Sequence, residues 1–482
     1  MSWRSICHVV AVSIPVISVS QMRDWERATW AAGQTEAEVI RRVGREVAQR
    51  ARELTRPGDR ILILAGKGHN GDDARAAGEH LQDRSVEILS VTAPENDLPG
   101  LETALRQKPA LIVDGLFGIG LNRPLDEGWK KFIAAVNASK VPMLAVDVPS
   151  GLNAETGEPF GAAIEAAVTL TVGAPKTGLL AQKAWPFVGR LEVAAEVGLI
   201  PRPPRSELLW TQPEDFENFP PPRNVAAHKG AFGHLMMVAG SFGFHGAAVL
   251  AARAAHRAQP GLVTLFTPET VYHPIASQTQ ATMVAAWRAE SKSFERASAI
   301  LFGPGLAAPE LPEEMKAMLR RLWRDAPVPV IVDASALDWL AAQPPTPRNG
   351  IRVVTPHPGE AARMLNVTTQ HIQADRVRAV REISKRFGGC WVVLKGHQTL
   401  VGRSEGEIFV NSSGNPHLAQ GGSGDVLAGF LAGLLAQPER QNDPAKTIRY
   451  AVWQHGAAAD KLQRQRANWI VEELIDELGN AR

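Results

Sequence analysis

Between Ser413 and Leu434 the chain reads SGNPHLAQGGSGDVLAGFLAGL. Gly421, Gly422 and Gly424 crowd a polar turn, Asp425 closes it, and an apolar helical run follows at once. Small residues opening a helix present unpaired backbone N–H groups and the positive end of a dipole, which together favour an anion. Glycine lets the backbone approach that anion with no Cβ in the way. A carboxylate at the mouth of such a nest would repel phosphate, so Asp425 reads as a base, or a metal-side carboxylate, aimed at a substrate hydroxyl. The competing reading is a plain helix cap. Lys395, with Gly396 and Thr399, offers a fixed positive charge and N–H groups to a nucleotide phosphate. His357 and Asn415 are neutral groups able to orient a substrate. Taken together these residues point to phosphoryl transfer onto a hydroxyl.

A second constellation lies in the first half. Arg60–Ala65 has a buried-strand pattern and runs into Gly66-Lys-Gly-His-Asn-Gly-Asp-Asp73, with a helix expected over 74–81. Residues 110–114 and 142–147 are further strand patterns, each ending in an acid, Asp114 and Asp147. Strand, glycine turn and helix make the βα unit of a doubly wound sheet, where ligands gather at strand C-termini. Asn70/Asp73, Asp114 and Asp147/Ser150 therefore reach one sheet edge. Their oxygens suit a hard monovalent or divalent cation, or the polar groups of a sugar. Any single Asp here is also a common turn former; three at equivalent positions favour a shared site.

The elements that must position these groups fit two domains, as 482 residues exceed what one core supports. Residues 1–204 and 205–482 divide at the Pro-rich stretches 200–205 and 219–223, which disfavour helix. Residues 19–49 read as helical, with Met22, Trp25, Ala28 and Trp30 as apolar positions and Ser18 or Ser20 as cap. Strand patterns recur at 235–239, 261–266, 299–302, 329–333, 352–354 and 390–395 between helical stretches, giving a second layered α/β/α domain. The 52 Lys+Arg against 50 Asp+Glu give no global pull toward nucleic acid or membrane. Cys7 and Cys390 form no metal-spaced set, so a reduced, cytoplasmic protein is expected. The apolar stretch 6–19 contains His8 and Pro15 and is too short to span a membrane, so it reads as a leader into the first helix.

GHNGDD (68–73), VDGLFGIGLNRPL (113–125), VDVPSGLNAETG (146–157) and TVGAPKTG (171–178) resemble the NAD(P)HX epimerase domain, the YjeF N-terminal domain. That resemblance implies a Rossmann-like three-layer fold, interconversion of the R and S forms of hydrated NAD(P)H, and a bound potassium ion. Carried over, Asn70, Asp114 and Ser150 take the potassium. His69, Asn70, Gly71, Asp72 and Asp73, the loop Gly118, Ile119, Gly120, Leu121, Asn122, Arg123 and Pro124, and a catalytic Asp147 contact the hydrated dinucleotide. The family's Asn-Asn-Gly-Gly-Asp-Gly reads His69-Asn-Gly-Asp-Asp-Ala74 here, which puts a charge at 72 in the path of a phosphate. HKGAFG, GSFGFHGAAVLAARAA, FGPGL, VDASALDWLA, TPHPGEAARML, VLKGHQT, NSSGNPHLAQGGSGDVLAG and YAVWQHGAAAD, spread over roughly 228–460, are similar to the ribokinase-like ADP/ATP-dependent (S)-NAD(P)H-hydrate dehydratase, the YjeF C-terminal domain. This second resemblance implies that the hydrate contacts Ala247, Gly305, His357 and the catalytic Asp425. The nucleotide, ADP or ATP with Mg2+, would contact Lys395, Gly396, His397, Gln398, Thr399 and Gly424. The C6 hydroxyl of the hydrated nicotinamide would be phosphorylated, and phosphate would then leave. Small-molecule partners and a homo-oligomer are expected, with neither nucleic acid nor membrane. The alternative is a ribokinase-like kinase of a small metabolite with a non-catalytic N-terminal binding module.

Overall fold

In strand Arg60–Ala65, Ile61, Ile63 and Ala65 point into one apolar cluster while Leu62 and Leu64 point into another. A strand buried on both faces needs cover on both, which is the signature of a parallel sheet between helices. The computed structural model describes residues 13–200, 204–288, 292–342 and 350–481. It divides into two compact units. Cys7 and the leader expected before residue 13 lie outside the described residues.

The unit Ile14–Trp210 contains a six-stranded sheet. Its order is Ser85–Ser90, Arg60–Ala65, Leu111–Gly115, Met143–Val146, Val168–Val172, Arg190–Ala194, with every neighbour parallel. Helix Glu36–Leu54 lays Val39, Val43, Val47 and Ala51 on one face of it. Helix Glu127–Ala138 lays Phe132, Ile133 and Val136 on the other. Burial of each such Val or Ile is worth roughly 1.5–3 kcal/mol, so the three layers hold through two opposed apolar faces.

Two expectations for this unit change. The helix expected over 19–49 is two helices, Val19–Ala31 and Glu36–Leu54, because Gly33 takes a left-handed φ of 93° and Thr35 starts a new capping box. Ser18 caps the first. The helix expected from residue 74 begins earlier, as His69–Glu79, so Asn70, Gly71, Asp72 and Asp73 lie on its first turns rather than in an open loop.

In the second unit, Thr211–Arg482 with Ser13 attached, the sheet runs Ile408–Val410, Leu400–Gly402, Trp391–Leu394, Arg352–Val354, Val330–Val332, Ala299–Phe302, His234–Val238, Leu262–Thr267, Met283–Ala286. The strands are parallel from Met283–Ala286 to Trp391–Leu394, and the remaining two add antiparallel. Those two, and Met283–Ala286 at the opposite edge, are short strands outside the sequence expectation. Ser13 bonds to Asp215 at 2.8 Å and receives Arg449 at 2.7 Å.

Helix Ser423–Leu435 packs on His245–Arg257 almost backbone to backbone. A Cβ on Gly429 would meet the Ala251 carbonyl oxygen at 2.0 Å, and one on Gly433 the Ala255 oxygen at 2.5 Å. The partner helix answers with buried Ala248, Ala251, Ala252 and Ala255. Gly429→Ala should therefore force these helices apart and cost about 1–3 kcal/mol, read as a fall in thermal midpoint. Gly246→Ala, where an added Cβ meets nothing within 4 Å, should leave the midpoint in place.

Candidate active sites

In the first unit, strand Arg60–Ala65 is flanked by Ser85–Ser90 on one side and Leu111–Gly115 on the other. Chain order reverses between the first and third of these strands, and a crevice opens there at the carboxyl ends. Helix His69–Glu79 enters it so closely that a Cβ on Gly71 would sit 2.1 Å from the Gly66 oxygen. Asn70 Nδ2 then donates to the Phe117 carbonyl at 3.0 Å. Ser150 Oγ donates to Asp114 at 2.6 Å and accepts from Phe117 N–H at 2.9 Å, while Ser150 N–H donates to Asp114 at 2.8 Å. Asn70, Asp114 and Ser150 are thus brought together with the Phe117 carbonyl. Asp114 is fully buried, and burial lifts its pKa to about 6 against the hydrogen bonds from Ser150 and Leu116. An all-oxygen set of one carboxylate, one amide, one hydroxyl and one carbonyl fits a hard monovalent cation.

Asp147 belongs to a different corner. It holds φ 63°, a left-handed conformation uncommon outside glycine, and its Oδ1 accepts from Lys176 Nζ at 2.5 Å and Val172 N–H at 3.0 Å. Lys176 is wholly buried and also donates to Thr171 Oγ1 at 3.0 Å and the Val172 carbonyl at 2.8 Å. Asp73 lies within reach of this pair's field. Burial raises its pKa to about 8, helped by the charges of Asp147, Asp72 and Glu26. Asp73 lines a cleft of about 390 Å³, mouth included, together with Glu26, His69 and an apolar wall that includes Met22, Trp30 and Val43. The charge expected to obstruct phosphate at 72 is paired instead: Arg75 bonds Asp72 at 2.9 Å and the Gly66 carbonyl at 2.8 Å. In the 118–124 loop, Gly118 packs on the Asn70 side chain and the Ile119 carbonyl accepts from Arg23 at 3.4 Å. Gly120, Asn122, Arg123 and Pro124 are exposed and Leu121 is half-buried.

The second unit has its own reversal, between strands His234–Val238 and Ala299–Phe302. Ser241 ties the two following loops, donating to the Gly305 carbonyl at 2.6 Å and accepting from Ala307 and Ala308 N–H at 3.2 and 3.1 Å. A Cβ on Gly305 would touch Ala247 at 3.0 Å, so those two positions are neighbours. Lys395 Nζ donates to Asp333 at 2.7 Å, lies 3.8 Å from Glu360, and would be 3.3 Å from a Cβ on Gly424. Burial opposes the charge on Lys395, but Asp333, Glu360 and Asp425 outweigh it and hold its pKa above the usual lysine value. Asp425 is in the first turn of helix Ser423–Leu435. The cap is Gly422, in left-handed conformation, and makes no side-chain cap bond, so the cap reading of Asp425 falls. Burial and the charges of Asp333 and Glu360 raise Asp425 to about 7, with Lys395 pulling the other way. His357 caps helix Pro358–Leu365 through Nδ1, 3.0 Å from Gly359 N–H, and the N–H of His357 donates to Glu360 at 2.7 Å.

Arg376 organises the loop over Lys395, Gly396, His397, Gln398 and Thr399. Its guanidinium donates to the carbonyls of Leu394 (3.2 Å), His397 (2.5 Å) and Gln398 (3.3 Å), and burial brings its pKa down to about 10. Thr399 Oγ1 closes the loop on the Gly396 carbonyl at 3.0 Å. Helix Pro444–Gln465 steadies the glycine turn from behind. Buried His455, its pKa lowered by burial to about 4, is a neutral ring whose Nε2 lies 3.0 Å from the Ser423 carbonyl. Asp460 accepts from Gly414 N–H at 2.9 Å and Asn415 Nδ2 at 3.1 Å.

Sequence reasoning overlooked Asp333, Glu360, Arg376, Ser241, Lys176 and Glu26. Asp333 carried the signal already used for Asp114 and Asp147, an acid just past an apolar strand. Glu360 carried the capping-box spacing. Lys176 and Ser241 lie inside motifs quoted above without being singled out there, and Arg376 and Glu26 had no local signal, since each acts through chain distant in sequence. Among the described residues no helix is long and apolar enough to cross a membrane, and no group of three His, Cys, Asp or Glu side chains has a metal-binding arrangement.

Comparison with known proteins follows these two constellations. Residues 235–479 match the NAD(P)H-hydrate dehydratase family, and residues 36–107 and 90–178 match the YjeF-related protein N-terminus. A bifunctional NAD(P)H-hydrate repair enzyme from Gloeobacter violaceus is 36% identical over 93% of both chains. The Escherichia coli enzyme of that name is 33% identical over 94% of this chain and 90% of its own. The crystal structure of an ADP/ATP-dependent NAD(P)H-hydrate dehydratase from Bacillus subtilis, co-crystallised with ATP/Mg2+, superposes with a TM-score of 0.50 at 32% identity, covering 55% of this chain and 95% of that one. With both halves matched in order and one relative matched almost end to end, this chain belongs to the family of bifunctional NAD(P)H-hydrate repair enzymes.

Proposed function

We propose that the protein repairs hydrated NADH and NADPH, its first unit interconverting the R and S hydrates and its second dehydrating the S form at the expense of ADP, giving AMP and phosphate. The observation that carries the second activity is the ammonium of Lys395, held between Asp333 and Glu360 beside Gly424 at the mouth of the helix that bears Asp425. Helix N–H groups and a partly buried cation there stabilise negative charge on a transferring phosphoryl group. Asp425, poised near neutrality, removes the proton of the C6 hydroxyl as its oxygen attacks the terminal phosphorus of the donor. The C6–O bond then breaks, phosphate leaving with the bonding pair as the ring nitrogen's lone pair forms an N1=C6 iminium, and loss of a C5 proton to water restores the ring double bond. Mg2+ bound with the nucleotide would offset phosphate charge. Ala247, Gly305 and His357 border the hydrate, and the 395–399 loop the nucleotide.

In the first unit, Asn70, Asp114, Ser150 and the Phe117 carbonyl would hold potassium. The ion would supply a fixed positive charge beneath the 118–124 loop, matching the buried carboxylate of Asp114. Asp147, fixed by Lys176, faces the hydrated dinucleotide.

Three outcomes are expected. Asp425→Asn should lower kcat for ADP-dependent NADH recovery by about 10²–10⁴-fold while nucleotide affinity, measured by calorimetry, stays close to wild type. For the intact enzyme, kcat/KM should climb as pH rises through about 7 and level off above it, because the ionised Asp425 is the base; a profile flat from pH 5.5 to 8.5 would refute that assignment. Potassium added to protein dialysed into a choline salt should raise the first unit's melting temperature by mass action and switch on epimerisation. Asp114→Asn should abolish both responses.

A further inference from the structure

Glu26 lies on helix Val19–Ala31, outside every motif that carries the family resemblance, yet it lines the same cleft as Asp73. Asp73 is only 9% exposed, and among the described residues no hydrogen-bond donor or cation lies within bonding distance of its carboxyl oxygens. A buried, unpartnered carboxyl group is costly, and it persists most readily where a ligand supplies the missing bond. The helix that brings Glu26 is anchored for the purpose. Ile17 bridges Lys176, with its N–H bonded to the Pro175 carbonyl at 2.9 Å and its own carbonyl accepting from Thr177 N–H at 2.9 Å. Ser18 forms a capping box with Gln21, and Arg23 reaches the Ile119 carbonyl of the 118–124 loop. The lysine that orients Asp147 and the helix that carries Glu26 are thus fastened to one another. The rest of the cleft lining is largely apolar, with Met22, Trp30, Ile40 and Val172 suited to the flat face of a ring.

Resting on the epimerase reading above, we propose that Glu26 and Asp73 are the proton-transfer pair of the first unit, acting on the C6 hydroxyl of a hydrated nicotinamide ring seated in this cleft. Asp73, as the acid, gives its proton to the C6 hydroxyl. The C6–O bond breaks, water departs, and the ring-nitrogen lone pair forms an N1=C6 iminium. Water then adds to the opposite face of C6 and loses a proton to the Glu26 carboxylate, which inverts the centre with no net redox change. The open cleft returns both carboxyls to their starting protonation through solvent. Both acids hold their protons more tightly than free carboxyl groups. Asp73 feels burial and the like charges of Asp147, Asp72 and Glu26. Glu26 is raised by burial and Asp147 but relieved by Lys176, His69 and Arg23. The remaining ionisable group on the cleft is Glu36, 3.7 Å from His69 at the rim.

The test uses the full chain with purified R hydrate of NADH in potassium buffer, following appearance of the S form by chromatography without nucleotide. Glu26→Gln should lower kcat for inversion by about 10²–10⁴-fold with KM nearly unchanged, and ADP-dependent recovery of NADH from the S hydrate should match wild type, showing an intact chain. Glu26→Asp should restore part of the inversion rate and shift the acidic limb of its pH profile. In ¹⁸O-water each inversion should place one solvent oxygen on C6. Glu26→Gln inverting as fast as wild type, or inversion without label, would overturn the proposal. A wild-type chain that dehydrates the S hydrate but never inverts the R form would sink the epimerase reading itself, and this proposal with it.

Discussion

Each unit sets a lysine, wholly buried in the first and mostly buried in the second, at the carboxyl edge of its sheet against an aspartate that follows a strand. Lys176 faces Asp147 and Lys395 faces Asp333. Withdrawing an ammonium from water costs several kcal/mol, offset only when a partner and further hydrogen bonds satisfy it. Lys176 obtains them from Thr171 and the Val172 carbonyl; Lys395 has its one direct bond to Asp333, with the negative charges of Glu360, 3.8 Å away, and Asp425 offsetting the rest. The pairing also decides which carboxylate is committed and which stays free to react. In both units the lysine engages one acid directly, while a second acid, Asp73 or Asp425, is pushed up by burial and by the charge of its committed neighbour. An acid whose proton affinity is lifted toward neutrality, as Asp73 and Asp425 are, suits acid–base chemistry near pH 7.

Backbone geometry is organised around the same edges. Residues other than glycine seldom hold positive φ, and those that do cluster where function over-determines them. Of the eight such residues among those described, three lie at these edges: Asp147 at the buried pair of the first unit, Ala334 directly after Asp333, and Gln398 in the loop that Arg376 clamps. The close approach of Gly71 to Gly66, and of Gly429 to Ala251, fixes the helices that carry Asn70, Asp73 and Asp425 to the sheet or helix beside them. These side chains therefore stand on short helical turns backed by packed chain rather than on free loops, which holds their positions closely.

Much of this arrangement was legible in the residues. Apolar runs of four to six residues ending in an acid marked strands and their active edges, and the clustered glycines marked Gly422 as a turn before the helix of Asp425. Strand-end positions point to Asn70, Asp73, Asp114, Asp147 and Ser150 at one edge, the family resemblance singles out Asn70, Asp114 and Ser150, and the fold brings those three within hydrogen-bonding reach of one another's loops. Asp73 and Asp147, grouped with them, instead form a second corner because Asp73 lies one turn further along helix His69–Glu79. What stayed hidden depends on contacts distant in sequence. Lys176 acts across 29 positions on Asp147, and Lys395 across 62 on Asp333. Arg376 gathers carbonyls 18 to 22 residues away. No periodicity or propensity encodes such partners; they follow from topology.

The departures from the epimerase pattern at 69, 72 and 74 have a physical account within the fold. Asp72 is held by Arg75, whose second bond goes to the Gly66 carbonyl. The substitution thus adds a brace between helix and strand instead of a free charge at the cleft. Ala74 packs against Gly115, where a Cβ on that glycine would meet the Ala74 Cβ at 2.4 Å; the methyl group fills space that the neighbouring strand leaves by having none. His69 sits at the rim beside Glu36 with its side chain 69% exposed, away from the Asn70, Asp114 and Ser150 cluster. The three changes leave the cation set and the buried Asp147–Lys176 pair intact. What they alter is the rim and the bracing of the first helix turn.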